Sequence, residues 1–185
     1  FSFPVFVQND GTAACGAELT FGRGPEFTDF VYFFIGSFIG GGVVLGGRGE
    51  RSTPQAVGSL ARNLFATGQA SHVIAALMPR DRSFMHLDTV FTLCDHDLAT
   101  MYPPVVDRIR PFSIRPGEGE RSVTVTEERR PFVEVVAEAL GLKKLRIVAT
   151  GGDGYEAERE QWDDGNNVVA VEPGVVIGYD RNVYT

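Results

Sequence analysis

The run Met85-His86-Leu87-Asp88-Thr89-Val90 sets an imidazole and a carboxylate two residues apart within an otherwise apolar stretch. Read as a strand, it turns His86 and Asp88 to one face and Leu87 to the other, because successive strand side chains alternate. An ionised carboxylate on a buried face is strongly unfavourable without a partner, so the pair calls for a buried cation, a metal ion or a bound substrate. The plainer alternative is that both groups hydrogen-bond neighbouring backbone. A metal would need a second, distant histidine, as in a two-histidine, one-carboxylate site. Only His72 and His96 are available, so metal is not expected. Asp95-His96-Asp97 reads as a solvated turn, since neighbouring turn residues rarely converge on one ion. His72 reads as a cap at the start of a strand.

Two more segments stand in a fixed order with this one: Gly49-Glu50-Arg51-Ser52-Thr53-Pro54-Gln55 upstream, and downstream Gly151-Gly152-Asp153 followed by Ala157-Glu158-Arg159-Glu160-Gln161-Trp162-Asp163-Asp164-Gly165-Asn166-Asn167-Val168. Together the three resemble the arginine deiminase family, in the same order and at about the same separations. The resemblance runs from roughly Val43 to Thr185, about three quarters of the chain. Residues 1–42 match poorly.

The resemblance implies a chemistry. A guanidinium is planar, delocalised and permanently cationic, so its carbon resists attack until carboxylates fix it and a strong nucleophile stands over its face. In the family a cysteine thiolate attacks that carbon, a histidine protonates the departing ammonia and then activates water, and two acids hold the guanidinium. His86 occupies the place of the family histidine, as general acid and base. Asp88 occupies that of one acidic ligand. Arg51 matches the arginine of the family's Glu-Arg-Thr-Thr-Pro motif, which implies contact with the substrate carboxylate; Ser52 departs from it, and an exposed start-of-helix role is the alternative.

Two further acids are matched less fully. Val7-Gln8-Asn9-Asp10 resembles the family's Phe-Thr-Arg-Asp, which would put Asp10 on the guanidinium, with an Asx turn before Gly11 as the alternative. Glu26-Phe27-Thr28-Asp29 is the nearest counterpart of the family's Glu-Gly-Gly-Asp, which would make Glu26 the other acidic ligand, although both glycines are replaced. No nucleophile is identified. The family's cysteine lies in an Arg-Cys-Met sequence, and neither Cys15 nor Cys94 stands in one. Cys94 reads as a small core residue. The 185 residues as written are therefore expected not to turn arginine over. Other guanidino-modifying enzymes, amidinotransferases and dimethylarginine hydrolases, are the close alternative, and a non-catalytic arginine-binding or structural remnant is the distant one.

Composition agrees with this reading. At 43% hydrophobic and 22% charged residues the chain is an ordinary globular one. A net charge of −7 argues against nucleic acid or an anionic membrane as the main partner and tolerates a cationic substrate. L-Arginine is the partner the resemblance implies, with no cofactor; self-association is left open. Two cysteines without zinc or redox spacing point to a reducing, cytoplasmic setting. Phe1-Ser2-Phe3-Pro4 has neither an initiator methionine nor a basic segment, so a signal peptide is not expected and the chain is read as one arginine deiminase-like domain, residues 1–185, incomplete at both ends. Phe30 to Leu45 is too short for a membrane span and reads as two strands turning through Gly40-Gly41-Gly42.

The elements that must position these groups follow from periodicity. Thr53 to Phe65 reads as a helix capped by Thr53, with Val57, Leu60, Ala61 and Leu64 on one face. Ser71 to Met78 reads as a strand, and His86 to Leu93 with Leu98 to Tyr102 as a hairpin. Pro103 to Arg130 reads as a linker with edge strands near Phe112 and Val123. Pro131 to Leu140 reads as a helix and Leu145 to Ala149 as a buried strand. Glu156 to Trp162 reads as a short helix with a solvated charged face and Trp162 against the core. Val168 to Val171 and Val175 to Tyr179 read as strands turning through Glu172-Pro173-Gly174. Strand pair, helix, strand recurs at a period of some 60 to 80 residues. The resemblance implies an α/β fold, a partial propeller of ββαβ modules with about three modules present.

Overall fold

The computed structural model describes residues 43–48 and 53–185, which lie in one compact unit, Ser37–Thr185. Arg51, Asp10, Glu26, Cys15 and the turn through Gly40-Gly41-Gly42 lie outside the described residues.

The first strand, β1 (Val43–Arg48), leads into helix α1 (Pro54–Ala66) and then β2 (His72–Leu77), which pairs parallel to β1. Thr53 caps α1 by accepting from the Ala56 N–H, and Pro54 fills the first turn, where its missing N–H costs nothing. Val57 and Ala61 are the buried positions of its inner face. His72 to Ala76 is buried without interruption, as a strand flanked on both edges and covered on both faces should be.

Two 3₁₀ turns follow, Arg82–Phe84 and Leu87–Thr89, and then the hairpin of β3 (Phe91–Leu93) and β4 (Leu98–Met101). A short helix α2 (Pro103–Val106) leads to β5 (Arg110–Pro116) and β6 (Val123–Glu127). Here the structure corrects the linker expectation. β5 is an interior strand, antiparallel to β2 on one side and to β6 on the other, because Ser113 and Ile114 are both buried and its two faces are both covered. Only β6 is an edge.

Helix α3 (Phe132–Ala139) crosses over to β7 (Arg146–Ala149), which pairs parallel to β4. Phe132 is fully buried and meets Phe91 edge to face, ring centroids 5.1 Å apart, which fixes α3 on the β3–β4 hairpin. Burying such a ring contributes about 1.5–3 kcal/mol. The helix closes on Gly141 at φ +74°, with the Leu142 N–H donating to the Ala137 carbonyl. β7 is not the buried strand its apolar residues suggest. It is an edge of its sheet, and burial passes instead to Leu145 before it and Thr150 after it.

The chain ends in helix α4 (Gly154–Trp162) and the hairpin of β8 (Val169–Glu172) and β9 (Val175–Ile177). A capping box starts α4: Asp153 accepts from the Tyr155 and Glu156 N–H groups and Glu156 accepts from the Asp153 N–H. The β8–β9 turn docks on the β3–β4 turn through the Gly174 N–H, which donates to the Cys94 carbonyl at 2.9 Å.

The class is mixed α/β, with sheets of order β1-β2-β5-β6, β3-β4-β7 and β8-β9. Among the described residues these sheets stay open and no barrel closes. β3, β4, α3 and β7 make a strand, strand, helix, strand unit, with α2, β5 and β6 intervening in the chain. No helix among the described residues is long and apolar enough to cross a membrane.

Candidate active site

His86, Leu87 and Asp88 do not lie on a strand. His86 is extended and caps a 3₁₀ turn that Leu87 opens, which overturns the alternation expected of this run. Three residues per turn set side chains about 120° apart. With Leu87 turned into the core, Asp88 falls on the outward half of the turn, while His86 stands before it on extended backbone; Leu87 is buried, Asp88 half-buried and His86 exposed. The buried face expected of the pair is therefore not found: the turn holds His86 outward and leaves Asp88 only half-buried. Backbone carbonyls are bound on both sides of the turn: Thr89 Oγ1 donates to the His86 carbonyl at 2.7 Å and Thr92 Oγ1 to the Asp88 carbonyl at 3.2 Å.

The anchor upstream is Ser83. Its N–H and its hydroxyl both donate to Asp81 Oδ1, at 2.9 and 2.7 Å, and its carbonyl accepts from Gln161 Nε2 at 2.7 Å. The anchor beneath is Leu87, which joins the central core and rests on Gly47 near the end of β1.

Strand direction sets where the chain leaves each sheet. β1 and β2 are parallel and level, with Arg48 opposite Leu77. The run to His86 and Asp88 therefore leaves the C-terminal end of β2 level with the end of β1 at Arg48. β7 runs parallel to β4, and Gly151-Gly152-Asp153 leaves its C-terminal end. Ligand sites in open α/β sheets gather beyond such ends.

The Glu158-Arg159-Glu160-Gln161-Trp162 segment corrects a second expectation. Trp162 is 68% exposed, while Glu160 and Gln161 are buried. Glu160 is fully enclosed and takes three hydrogen bonds: Oε1 from the Tyr184 N–H at 2.9 Å, and Oε2 from the Thr185 N–H at 2.7 Å and hydroxyl at 2.6 Å. Burial pushes its carboxyl up, but the bonds from Thr185 and Tyr184 outweigh that and hold it below the usual range. The signal was present in the sequence. Counted from the capping box, Ala157, Glu160 and Gln161 recur at three and four residues and share one helix face.

A family model of arginine deiminase matches residues 37–185. The chain belongs to the arginine deiminase family. That makes it kin to hydrolases that act on guanidino groups. The matched span takes in Arg51, His86, Asp88 and the whole of α4, and the described part of it is the unit that carries the His86 turn.

Within this arginine deiminase-family fold several conspicuous groups serve structure. His72 is no simple cap: buried as the first residue of β2, its Nε2 lies 3.0 Å from Ser113 Oγ, and Ser113 donates to Glu128 Oε1 at 2.6 Å. Serine has one proton to give, so Nε2 carries the hydrogen in the His72 bond. Asn166, fully buried, accepts from the Thr100 and Thr150 hydroxyls at 2.8 and 3.0 Å and ties β4 to the end of β7. Asp97 grips Arg146 through two bonds, at 2.9 and 2.5 Å, and Asp95 lies 3.7 Å from the same guanidinium, so this turn is an ion-paired clamp on β7 rather than only a solvated loop. Cys94 is buried, and burial pushes its thiol up. Among the described residues no three of His, Cys, Asp and Glu converge as metal ligands would. The cleft lined by Arg62, Phe65, Pro116 and Arg121 lies between α1 and the β5–β6 turn and includes no residue of the His86 turn.

Proposed function

We propose that this protein hydrolyses L-arginine to L-citrulline and ammonia. What supports the reading is that β1 and β2 run parallel and level, so that the residues following each strand start from one edge of the sheet, with Leu87 set against Gly47. Gly47 stands four residues before Arg51, and Leu87 stands between His86 and Asp88. In this reading His86 gives its proton to the departing ammonia and takes one from the attacking water. Asp88 pairs with the guanidinium as one of two acids, and Asp10 and Glu26 are the candidates for the other. Arg51 pairs with the substrate carboxylate, which fixes the guanidinium at a set distance from its anchor. The attacking thiolate adds to the guanidinium carbon, ammonia leaves with the His86 proton, and water then releases the thiol and the ureido product.

The modules belong to the same proposal. The unit of β3, β4, α3 and β7 matches one ββαβ module, β1, α1 and β2 supply three elements of another, and β8 with β9 is the strand pair of a third. A propeller of such modules would bring their strand ends to a shared centre, where an arginine would lie.

Neither cysteine is assigned as the nucleophile. Cys94 is buried with its thiol pushed up, the opposite of an activated thiolate. The 185 residues alone are therefore proposed to be inactive. A citrulline assay of the complete protein on arginine, on methylated arginines and on arginine with glycine tests the reading; activity confined to a methylated arginine or to amidino transfer would overturn the choice of substrate. Robust citrulline release by the 185 residues alone would overturn the second proposal and point to Cys15 or Cys94, each then changed to alanine.

A further inference from the structure

We infer that Gln161 is a positioning residue for His86, acting through the Ser83 carbonyl, an inference that rests on the acid and base role proposed for His86. Ser83 is the last fixed point before the turn: all three of its polar groups are bound, two by Asp81 and the third by Gln161. Asp81 is exposed and only two residues from Ser83, so it shapes the first 3₁₀ turn locally. Gln161 is different in kind. It reaches Ser83 from 78 residues away, is buried, and is the one bond among the described residues that ties this turn to α4.

From Ser83 the chain has little freedom before the imidazole. Phe84 closes the first 3₁₀ turn, Met85 is helical, and His86 is extended and caps the second turn, whose Leu87 is pegged in the core. The imidazole is exposed and has no hydrogen bond from the described residues to hold it, so its placement is inherited from these two ends. Leu87 fixes one end and the Gln161 amide fixes the other. The capping box sets the pitch of α4 from its first residue, and the next residue inward, Glu160, is locked to Tyr184 and Thr185. The amide is thus presented by a helix that cannot easily rotate. Loss of the bond would leave the Ser83 carbonyl partly buried without a donor and free the turn to shift, and a displacement on the order of 1 Å at a reacting group costs up to about 100-fold in rate.

The test is made in the complete protein with Gln161→Met, which keeps the length and removes the donor. NMR follows the His86 imidazole, assigned by the loss of its signal in His86→Gln, with His72 and His96 as internal controls. The expected result is a shifted or broadened His86 signal with the other two unmoved, a kcat lowered about tenfold or more, and a KM within about twofold of the parent. A merely structural glutamine would lower the melting temperature and the active fraction while leaving the His86 signal and kcat per folded molecule unchanged, and that result would overturn the inference. Should Gln161→Met not fold, Gln161→Glu keeps the shape without an amide donor and carries the same readouts. A moved His86 signal in a protein whose parent yields no citrulline would sustain the positional link and remove the proposed reaction instead.

Discussion

Leu87 lies so close to Gly47 that a Cβ built on the glycine would stand 2.9 Å from Leu87 Cβ and 3.2 Å from its backbone nitrogen. No ordinary carbon contact is that short, and Gly47 φ is not the reason for the glycine; the close approach is. Gly47→Ala must therefore push the 3₁₀ turn off β1 or bend the strand, a kind of overpacking that costs about 1–3 kcal/mol. Since the turn carries His86 and Asp88 on either side of Leu87, arginine turnover should fall by more than the loss of folded protein explains. Urea unfolding and citrulline release, measured on the same preparation, check this. A Gly47→Ala protein of parental stability and rate would mean that the turn and the strand are not coupled.

His86 itself gives the cleanest separation of chemistry from folding. Its side chain is exposed, and the bond that holds its residue in place uses the backbone carbonyl. His86→Ala should thus change unfolding free energy by no more than about 0.5 kcal/mol, while citrulline release by the complete protein falls by about 100-fold to 10,000-fold. Unfolding with little change in specific rate would instead make the pair structural.

How much of this was legible beforehand depends on which forces wrote it. Helix α1 was legible through Thr53, Pro54 and the spacing of Val57 and Ala61, because capping and periodicity are local. The His86 run was misread as a strand because its apolar residues alternate with polar ones, and only tertiary packing of Leu87 on Gly47 decides for a 3₁₀ turn. β5 was read as an edge for a related reason: whether Phe112 and Ile114 face solvent depends on β2 and β6, which the local sequence does not name. At the candidate site, residue types and spacing single out His86 and Asp88, whose roles are proposals. The shared helix face of Ala157, Glu160 and Gln161 was legible, but the partners that bury the last two, Thr185 and Ser83, lie 25 and 78 residues away and were not. A charged residue reads as solvated until the donors that enclose it are known.

The His72, Ser113 and Glu128 chain predicts a pH dependence of stability. Burial holds His72 below its ordinary 6.5, and Arg115 acts in the same sense. The unfolded chain therefore takes up a proton near pH 6.5 that the folded one refuses until lower pH, so the contribution is full above about 6.5 and is lost as pH falls through the folded value. Glu128 is held below its ordinary 4.5 by the Ser113 hydroxyl and by Arg130, against the opposing effect of burial. Its contribution is present above about 4.5 and lost below it. His72→Gln should flatten the decline of urea midpoints between about pH 7 and 5, and Glu128→Gln the decline below about pH 4.5. Parallel curves for His72→Gln and the parent would exclude His72 as the source of the first decline.

Glu160 predicts the opposite of what its charge suggests. A charged side chain on a polar helix usually tolerates exchange, yet this carboxylate is fully enclosed by N–H and O–H donors from Tyr184 and Thr185. Glu160→Gln keeps its shape but turns one acceptor into a donor. With the amide nitrogen at Oε1 it faces the Tyr184 N–H, and at Oε2 it faces the Thr185 N–H, so either orientation sets donor against donor. The cost should be about 1–3 kcal/mol, seen as a melting temperature lower by roughly 2–8 °C. Gly151 shares the same joint: a Cβ there would strike the Tyr184 carbonyl, and its N–H donates to Thr185 Oγ1 at 3.2 Å. Gly151→Ala should therefore lower the melting temperature as well, and less than additively with Glu160→Gln, because both act on one segment. Glu158→Gln, exposed on the same helix, is the control and should stay within about 0.5 kcal/mol of the parent. Equal melting of Glu160→Gln and Glu158→Gln would show that the joint between α4 and Tyr184-Thr185 does not hold the fold.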